Sequence, residues 1–263
     1  MGILNTTPDS FSDGGLWNDR ERALHHALAM VAAGADIIDV GGESTRPGAK
    51  SISLQQELDR VVPVVEAIAA ESATAISVDT SKPEVMAAAV AAGAGLINDV
   101  LALRGEGALE TAARLGVSVC LMHMQGRPRD MQREPVYTDV VAEVEAFLLQ
   151  RANACEAAGI PADRILIDPG FGFGKTLEHN LALFRALPRL CGAGYAVLVG
   201  VSRKSMLGAL TGKPVEQRLA ASVTAAVLAA EYGVSVLRVH DVAETVDALT
   251  VARTLQTGPG SSG

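Results

Sequence analysis

The stretch ILIDPGFGFGKTLEHN, residues 165–180, has the residue types of a phosphate loop, with alternate glycines followed by Lys175 and Thr176. The spacing excludes that use. A G-x-x-x-x-G-K-[ST] loop needs glycine where Pro169 stands, and Gly170, Gly172 and Gly174 form G-x-G-x-G rather than the G-x-G-x-x-G of a dinucleotide fold. Elsewhere, Asp79, Asn98 and Asp168 offer donors and acceptors suited to a flat, nitrogen-rich heterocycle with amino and carbonyl edges. Holding magnesium is the competing use of two such carboxylates. Arg203, Lys204, Arg238 and His240 form a basic group that points to an anionic substrate, or, for Arg203 and Lys204, to a solvated loop with salt-bridge partners.

All of these residues lie where short apolar runs end. The runs are 2–5, 35–40, 75–79, 95–99, 117–123, 164–168, 195–200 and 234–240, and amphipathic stretches separate them. In 54–71, Leu54, Leu58, Val61, Val62, Val65, Ile68 and Ala69 recur with helical period, and Pro63 is expected to kink that helix or to sit near its first turns. Gly34, Gly93, Gly116, Gly159 and Gly233 each close a helical stretch as left-handed caps would. Strand and helix alternating eight times over about 250 residues predict a single-domain α/β protein, a closed parallel (β/α)8 TIM barrel; an open doubly wound sheet is the alternative. In a barrel the active site lies where strands end. Asn5, Asp39, Glu43, Asp79, Asn98, Asp99, His123, Asp168, Ser202, Arg203, Lys204, Arg238 and His240 all sit at or just beyond such ends. Asp and Asn also favour these positions as turn and cap residues, so each alone has a structural explanation.

Charged residues number 22 basic against 30 acidic, a net of −8, which argues against a general nucleic-acid or membrane-surface binder. Cys120, Cys155 and Cys191 are odd in number and form no C-x-x-C, so ordinary thiols are expected rather than a disulfide framework or zinc site. With no apolar run long enough for a membrane span and no signal-like start, the expected location is the cytoplasm. The barrel is expected over 1–255, with a short lead-in segment removed ahead of the first strand and 256–263 a disordered tail or cloning remnant. Phe11, Phe171 and Phe173 fall in glycine-rich loops, either to stack on a flat ligand or to fold back over the core. His25, His26 and His179 lie on predicted helices and are expected at the surface.

MGILNTTPDSFSDGG at 1–15 resembles the opening motif of the dihydropteroate synthase family, the pterin-binding TIM barrels of folate biosynthesis. IIDVGGESTRPGA, SVDTSKP, INDV, LMHMQG, ILIDPGFGFGK, GVSRKS and LRVHDV are similar to that family's remaining blocks, in the same order. Folate-dependent methyltransferases share the pterin-holding barrel but have no need of the TRPG and SRKS segments found here.

The resemblance implies a transferase that joins p-aminobenzoate to 6-hydroxymethyl-7,8-dihydropterin pyrophosphate through a cation-like pterin methylene, giving 7,8-dihydropteroate and pyrophosphate. By the same resemblance Asp79, Asn98, Met122, Asp168, Gly200 and Lys204 hold the pterin, and Asp79, Asp168, Lys204 and Arg46 are catalytic. Thr45, Arg46, Pro47, Phe173, Ser202 and Ser205 receive p-aminobenzoate, its carboxylate facing a helix that starts near Arg203. Asn5, Arg46, Arg238 and His240 meet the pyrophosphate, with the cofactor Mg2+ held through Asn5. TTPDSFSDGG and ESTRPGAKS are the implied lids. Sulfonamide sensitivity and a homodimer, for which the Ala-rich helix around 216–231 is apolar enough, are implied as well.

Overall fold

The structure, a computed structural model, describes residues 1–6, 16–44, 49, 51–126, 131 and 135–257, apart from the side chains of 16–19 and 257. Thr45, Arg46, Pro47, Phe11, nearly all of the first implied lid, the middle of the second and the last six residues therefore lie outside the described part.

Eight parallel strands run in chain order: β1 Gly2–Asn5, β2 Ile37–Gly41, β3 Ala75–Asp79, β4 Leu96–Asp99, β5 Ser118–Met122, β6 Ile165–Asp168, β7 Ala196–Val199 and β8 Val236–Leu237. Each pairs with the next. The Gly2–Val239 bridge closes the ring, with Ile3 N–H donating to Val239 O and Val239 N–H to Met1 O, both at 3.0 Å. The fold is a (β/α)8 barrel. The described helices between and after the strands are α1 Leu16–Ala32, α2 Leu54–Glu71, α3 Pro83–Ala91, α4 Ala108–Leu115 and α5 Val140–Ala157, then α6 Leu177–Arg185, α7 Leu187–Cys191, α8 Ser205–Thr211, α9 Leu219–Glu231 and α10 Val242–Thr257.

Side-chain alternation divides every strand between two environments. Outward residues such as Leu4, Ile38, Val40, Ile76, Val78, Ile97, Val119 and Leu121 pack under α1 to α4, while Ile167, Val197 and Val199 pack under α5 to α9. Inward residues fill the barrel in layers. Leu96, Cys120 and Leu198, with Leu166, Val236 and Met1, plug its lower end. Polar side chains occupy the inward positions above them. Cys120 thus belongs to the apolar plug, burial raises its thiol pKa well above the ordinary value, and all three cysteines are free.

Gly34, Gly93, Gly116, Gly159 and Gly233 have φ between 66° and 122°, in the left-handed region expected of helix-ending glycines. Pro63 lies well inside α2, which runs unbroken from Leu54 to Glu71. A Ser53–Gln56 capping box and the buried face of Val61, Val64, Val65 and Ile68 hold that helix despite the missing donor. The last helix runs to Thr257, and near its end Gln256 Nε2 donates to Glu231 Oε1 of α9 at 2.9 Å.

Candidate active site

Strand register brings the polar residues to one level. Asn5 pairs with Gly41, Gly41 with Asp79, and Asp79 with Asn98 across four consecutive strands, while Met122 pairs with Asp168. Gly41 leaves room between its neighbours: a Cβ there would lie 3.7 Å from Asp79 Oδ2 and 3.9 Å from Asn5 Oδ1. Beneath this level Arg238 reaches across the ring, its Nε donating to Asp39 Oδ2 at 2.6 Å and its Nη2 to Asp79 Oδ2 at 2.9 Å. Asp39 also accepts from Ser77 Oγ at 2.5 Å and Asn98 Nδ2 at 3.2 Å. This buried carboxylate is the organising acceptor of the site. In the sequence Asp39 is only one strand-end residue among many, although its polar, inward position two residues before Gly41 is the signal that marks it.

On the far wall Asp168 Oδ1 accepts from Gly170 N–H at 2.7 Å. The Lys204 ammonium donates to Phe171 O and stands 4.2 Å from the centroid of the Phe173 ring. Gly200 faces Arg238, whose Cβ would lie 3.8 Å from an added Cβ. Ser202 Oγ lies 3.0 Å from His240 Nδ1 and accepts from His240 N–H at 3.2 Å. Ser205 opens α8 beside Lys204 and is exposed. The carboxylates, Asn98, Arg238 and Lys204 therefore share one mouth, with the Ser202–His240 pair where β7 and β8 end.

Several strand-end residues do not join them. Asp99 faces outward and accepts from Ser81 Oγ and from the N–H groups of Leu101 and Leu103, the latter two at 2.8 Å. It organises the following turn, where Ala102 and Leu103 take positive φ, and Arg151 covers both their carbonyls. Glu43 pairs with Lys82, which also pairs with the buried Glu57. Arg203 is bound to Asp241, the salt-bridged-loop alternative, while its neighbour Lys204 turns inward. His25 and His26 are exposed as expected. His179 is not a free surface residue: its Nδ1 accepts from Thr176 N–H at 3.2 Å, capping α6, and its ring packs edge-on to Tyr137.

Burial sets the charge behaviour of the mouth. It pushes the Asp79 carboxyl up to about 7, against Arg238 and with the help of Asp39, Asp99 and Glu57. It raises Asp168 too, against Gly170 N–H, Lys204, Lys175 and Arg238. Lys204 is lowered to about 8 by burial, opposed by Asp168 and Asp79. Burial also opposes the charge on Arg238, but Asp39 and Asp79 outweigh it and hold the guanidinium above its ordinary value. Two acids raised and one amine lowered within a single cleft is the signature of a site built to bind and stabilise charge.

The glycine loop after β6 takes its shape from this layout. Gly170, Gly172 and Gly174 have φ of 68°, 79° and 63°. A Cβ on Gly170 would overlap the His123 carbonyl oxygen, and one on Gly174 the Gln125 carbonyl oxygen. Glycine is required there twice over, for handedness and for close approach. We expect Gly170→Ala to destabilise the fold by about 3 kcal/mol or more, whereas Gly116→Ala, at similar φ but in open space, costs about 1 kcal/mol. Urea denaturation of both variants checks this, and equal losses would contradict the close-approach argument.

A sequence model described as pterin binding enzyme matches residues 1–240. The chain belongs to the pterin-binding enzyme family. Within that family it groups with the dihydropteroate synthases, which are transferases. It is 54% identical over 251 residues to the dihydropteroate synthase of Escherichia coli strain K12, covering 95% of this chain and 89% of that protein. A Xanthomonas albilineans dihydropteroate synthase solved with 4-aminobenzoic acid superposes with a TM-score of 0.93 at 57% identity, covering 98% of this chain and 93% of that one. The Xanthomonas albilineans enzyme in complex with 7,8-dihydropteroate gives a TM-score of 0.89 at 53% identity over 98% and 94% of the two chains. No helix among the described residues of this family member is long and apolar enough to cross a membrane.

Proposed function

We propose that this chain condenses p-aminobenzoate with 6-hydroxymethyl-7,8-dihydropterin pyrophosphate, forming 7,8-dihydropteroate and releasing pyrophosphate. The observation that carries the reading is the two-signed mouth, in which Asp79, Asn98 and Asp168 meet Arg238 and Lys204. The pterin slot is assigned to Asp79, Asn98, Asp168 and Lys204, with Met122 and Gly200 as lining. Arg238 spends Nε and Nη2 on carboxylates, which leaves its Nη1 edge for the diphosphate. His240, aligned by Ser202, is assigned to the same anion.

The methylene carbon gains positive character as its C–O bond to the diphosphate breaks, and the reduced ring supplies electrons to it. Asp79 and Asp168, fixed before the reaction begins, stabilise that charge electrostatically. The p-aminobenzoate amine forms the new C–N bond and loses its proton to solvent; being neutral already, it requires no strong base. Phe173, Ser202 and Ser205 are assigned to hold it, together with Thr45, Arg46 and Pro47, and the rate then gains from fixing the two reactants face to face.

Mg2+ fits this donor set. Asn5 Oδ1 and Asp79 Oδ2 flank Gly41, and the described residues contain no group of three His, Cys, Asp or Glu able to cage a metal. An ion that keeps waters and binds substrate phosphates needs few protein oxygens. Asn5 would hold it, and when bound it neutralises charge on the diphosphate. A second copy of the chain is proposed to cover Leu228 and Tyr232 at α9 together with Val251 and Leu255 of α10, all exposed.

Purified protein given both substrates and Mg2+ is expected to release pyrophosphate and form dihydropteroate, to be inhibited by a sulfonamide in competition with p-aminobenzoate, and to scatter light as a dimer. Pterin binding without turnover would leave a silent binding protein in place of the enzyme. A monomer would remove the proposed α9–α10 interface.

A further inference from the structure

Lys175 has no part in the reaction just described, yet it is the most heavily engaged lysine in the mouth. It ends the glycine loop, turns back beneath it, and is 3% exposed. Its Nζ donates to Gly170 O at 2.9 Å, Phe173 O at 3.0 Å and His123 O at 3.3 Å, and lies 2.9 Å from His123 Nδ1. The His123 ring, at the end of β5, is fixed edge-on against Phe147 with centroids 5.0 Å apart. Tyr137 Oη adds a bond to Gly174 O at 2.8 Å. One buried amine thus joins the strand-five end to both arms of the loop after strand six.

Packing alone does not explain a lysine here. A methionine of similar length would fill the space, but it would leave the Phe173 and His123 carbonyls turned inward without the amine as donor, each at a desolvation cost, while Gly170 O keeps only Phe173 N–H. What the amine adds is the setting of those carbonyls. Phe173 supplies one of them, and its ring is the one facing the Lys204 ammonium. Phe171, between Gly170 and Gly172, supplies the carbonyl that Lys204 itself uses. Displacing Nζ therefore moves the aromatic wall, because Phe173 O loses its donor, while Lys204 keeps the Phe171 carbonyl.

We propose that Lys175, steadied by His123, is a positioning residue that sets Phe173 for p-aminobenzoate, an inference that rests on the dihydropteroate-forming reading. The groups facing the amine allow it two hydrogen-bond arrangements. As an ammonium, with three hydrogens for four acceptors, it donates to Gly170 O, Phe173 O and His123 Nδ1; as an amine it keeps those two carbonyls, the shorter contacts, and accepts from Nδ1–H. Burial lowers Lys175 to about 7, opposed by Asp168 and reinforced by Lys204, and burial with Lys175 and Arg104 lowers His123 to about 3, so the imidazole stays neutral throughout.

The test uses the full chain with 6-hydroxymethylpterin, which has no leaving group, filling the pterin slot, and reads p-aminobenzoate affinity by calorimetry. Lys175→Met is expected to weaken p-aminobenzoate about tenfold or more while pterin affinity changes less than about twofold, because only the loop-borne contacts move. In turnover, the KM for p-aminobenzoate should rise more than kcat falls. Lys175→Arg, which keeps donors for the carbonyls, should recover part of the loss and guards against a methionine variant that fails to fold. Unchanged p-aminobenzoate affinity in Lys175→Met overturns the proposal, as does an equal loss of both ligands or a wild-type protein that binds no p-aminobenzoate. Wild-type binding of both ligands without turnover would instead refute the catalytic reading and leave the positioning result to stand on affinity.

Discussion

Asp79→Ala should lower turnover by roughly 10²–10³-fold, the usual size for one preorganised group facing charge that develops in the transition state. Asp79 ends β3, is nearly inaccessible, and is held by Arg238 Nη2 at 2.9 Å, so its orientation is settled before substrate arrives. Because burial raises this carboxyl to about 7, the effective carboxylate form grows as pH rises through neutrality, and kcat/KM should show an acid limb near that value. The residual activity of Asp79→Ala should lack it. The stability consequence runs the other way. Between the ordinary carboxyl value of 3.8 and about 7 the folded protein holds more protons at Asp79 than the unfolded chain, so this group's contribution to stability falls as pH rises through that window. Steady-state kinetics across pH decide the matter, and an alanine variant with wild-type rate would remove Asp79 from the mechanism.

Arg238→Met is expected to cost about 3–5 kcal/mol of stability as well as activity, because it leaves a buried carboxylate without its cation. Asp39 is fully inaccessible and takes its charged partner from Arg238 at 2.6 Å. Ser77 and Asn98 still donate to it, which places the expected loss toward the lower end of that range. The double variant Asp39→Asn with Arg238→Met, lacking the stranded charge, should recover part of the stability but none of the turnover. Thermal and urea unfolding of the single and double variants separate the two effects. A single variant within 1 kcal/mol of wild type would falsify the claim that this ion pair is structurally necessary.

Much of the barrel was legible from periodicity. The eight apolar runs coincide with the strands to within a residue or two, except at the last, where 234–240 was expected and β8 is Val236–Leu237. Beyond Leu237 the chain continues by single bonds to its neighbours, Arg238 N–H to Val199 O at 2.9 Å and Val239 to β1, because it must close the ring against two strands at once. The glycines that end helices were legible as well, since a left-handed backbone demands that residue type. Which of two adjacent polar residues enters the site was harder. Asn98 and Asp99 are neighbours, yet one faces the mouth and the other a turn, and only strand register decides between them.

Composition and spacing alone determined the repeating strand–helix plan, the placement of Asn5, Asp79, Asn98, Asp168 and the SRK segment at strand ends, and the rejection of a phosphate loop at GFGFGK. These depend on local period and residue chemistry, which a linear chain carries with it. Only the tertiary structure decided that Arg238 bridges Asp39 and Asp79, that Lys175 turns under its own loop toward His123, and that Arg203 and Lys204 part company. Those partners lie 33 to 199 residues apart or depend on side-chain direction. Long-range pairing is set by the closure of the ring, and direction by which side of the backbone is left free, so neither has a trace in the order of the residues.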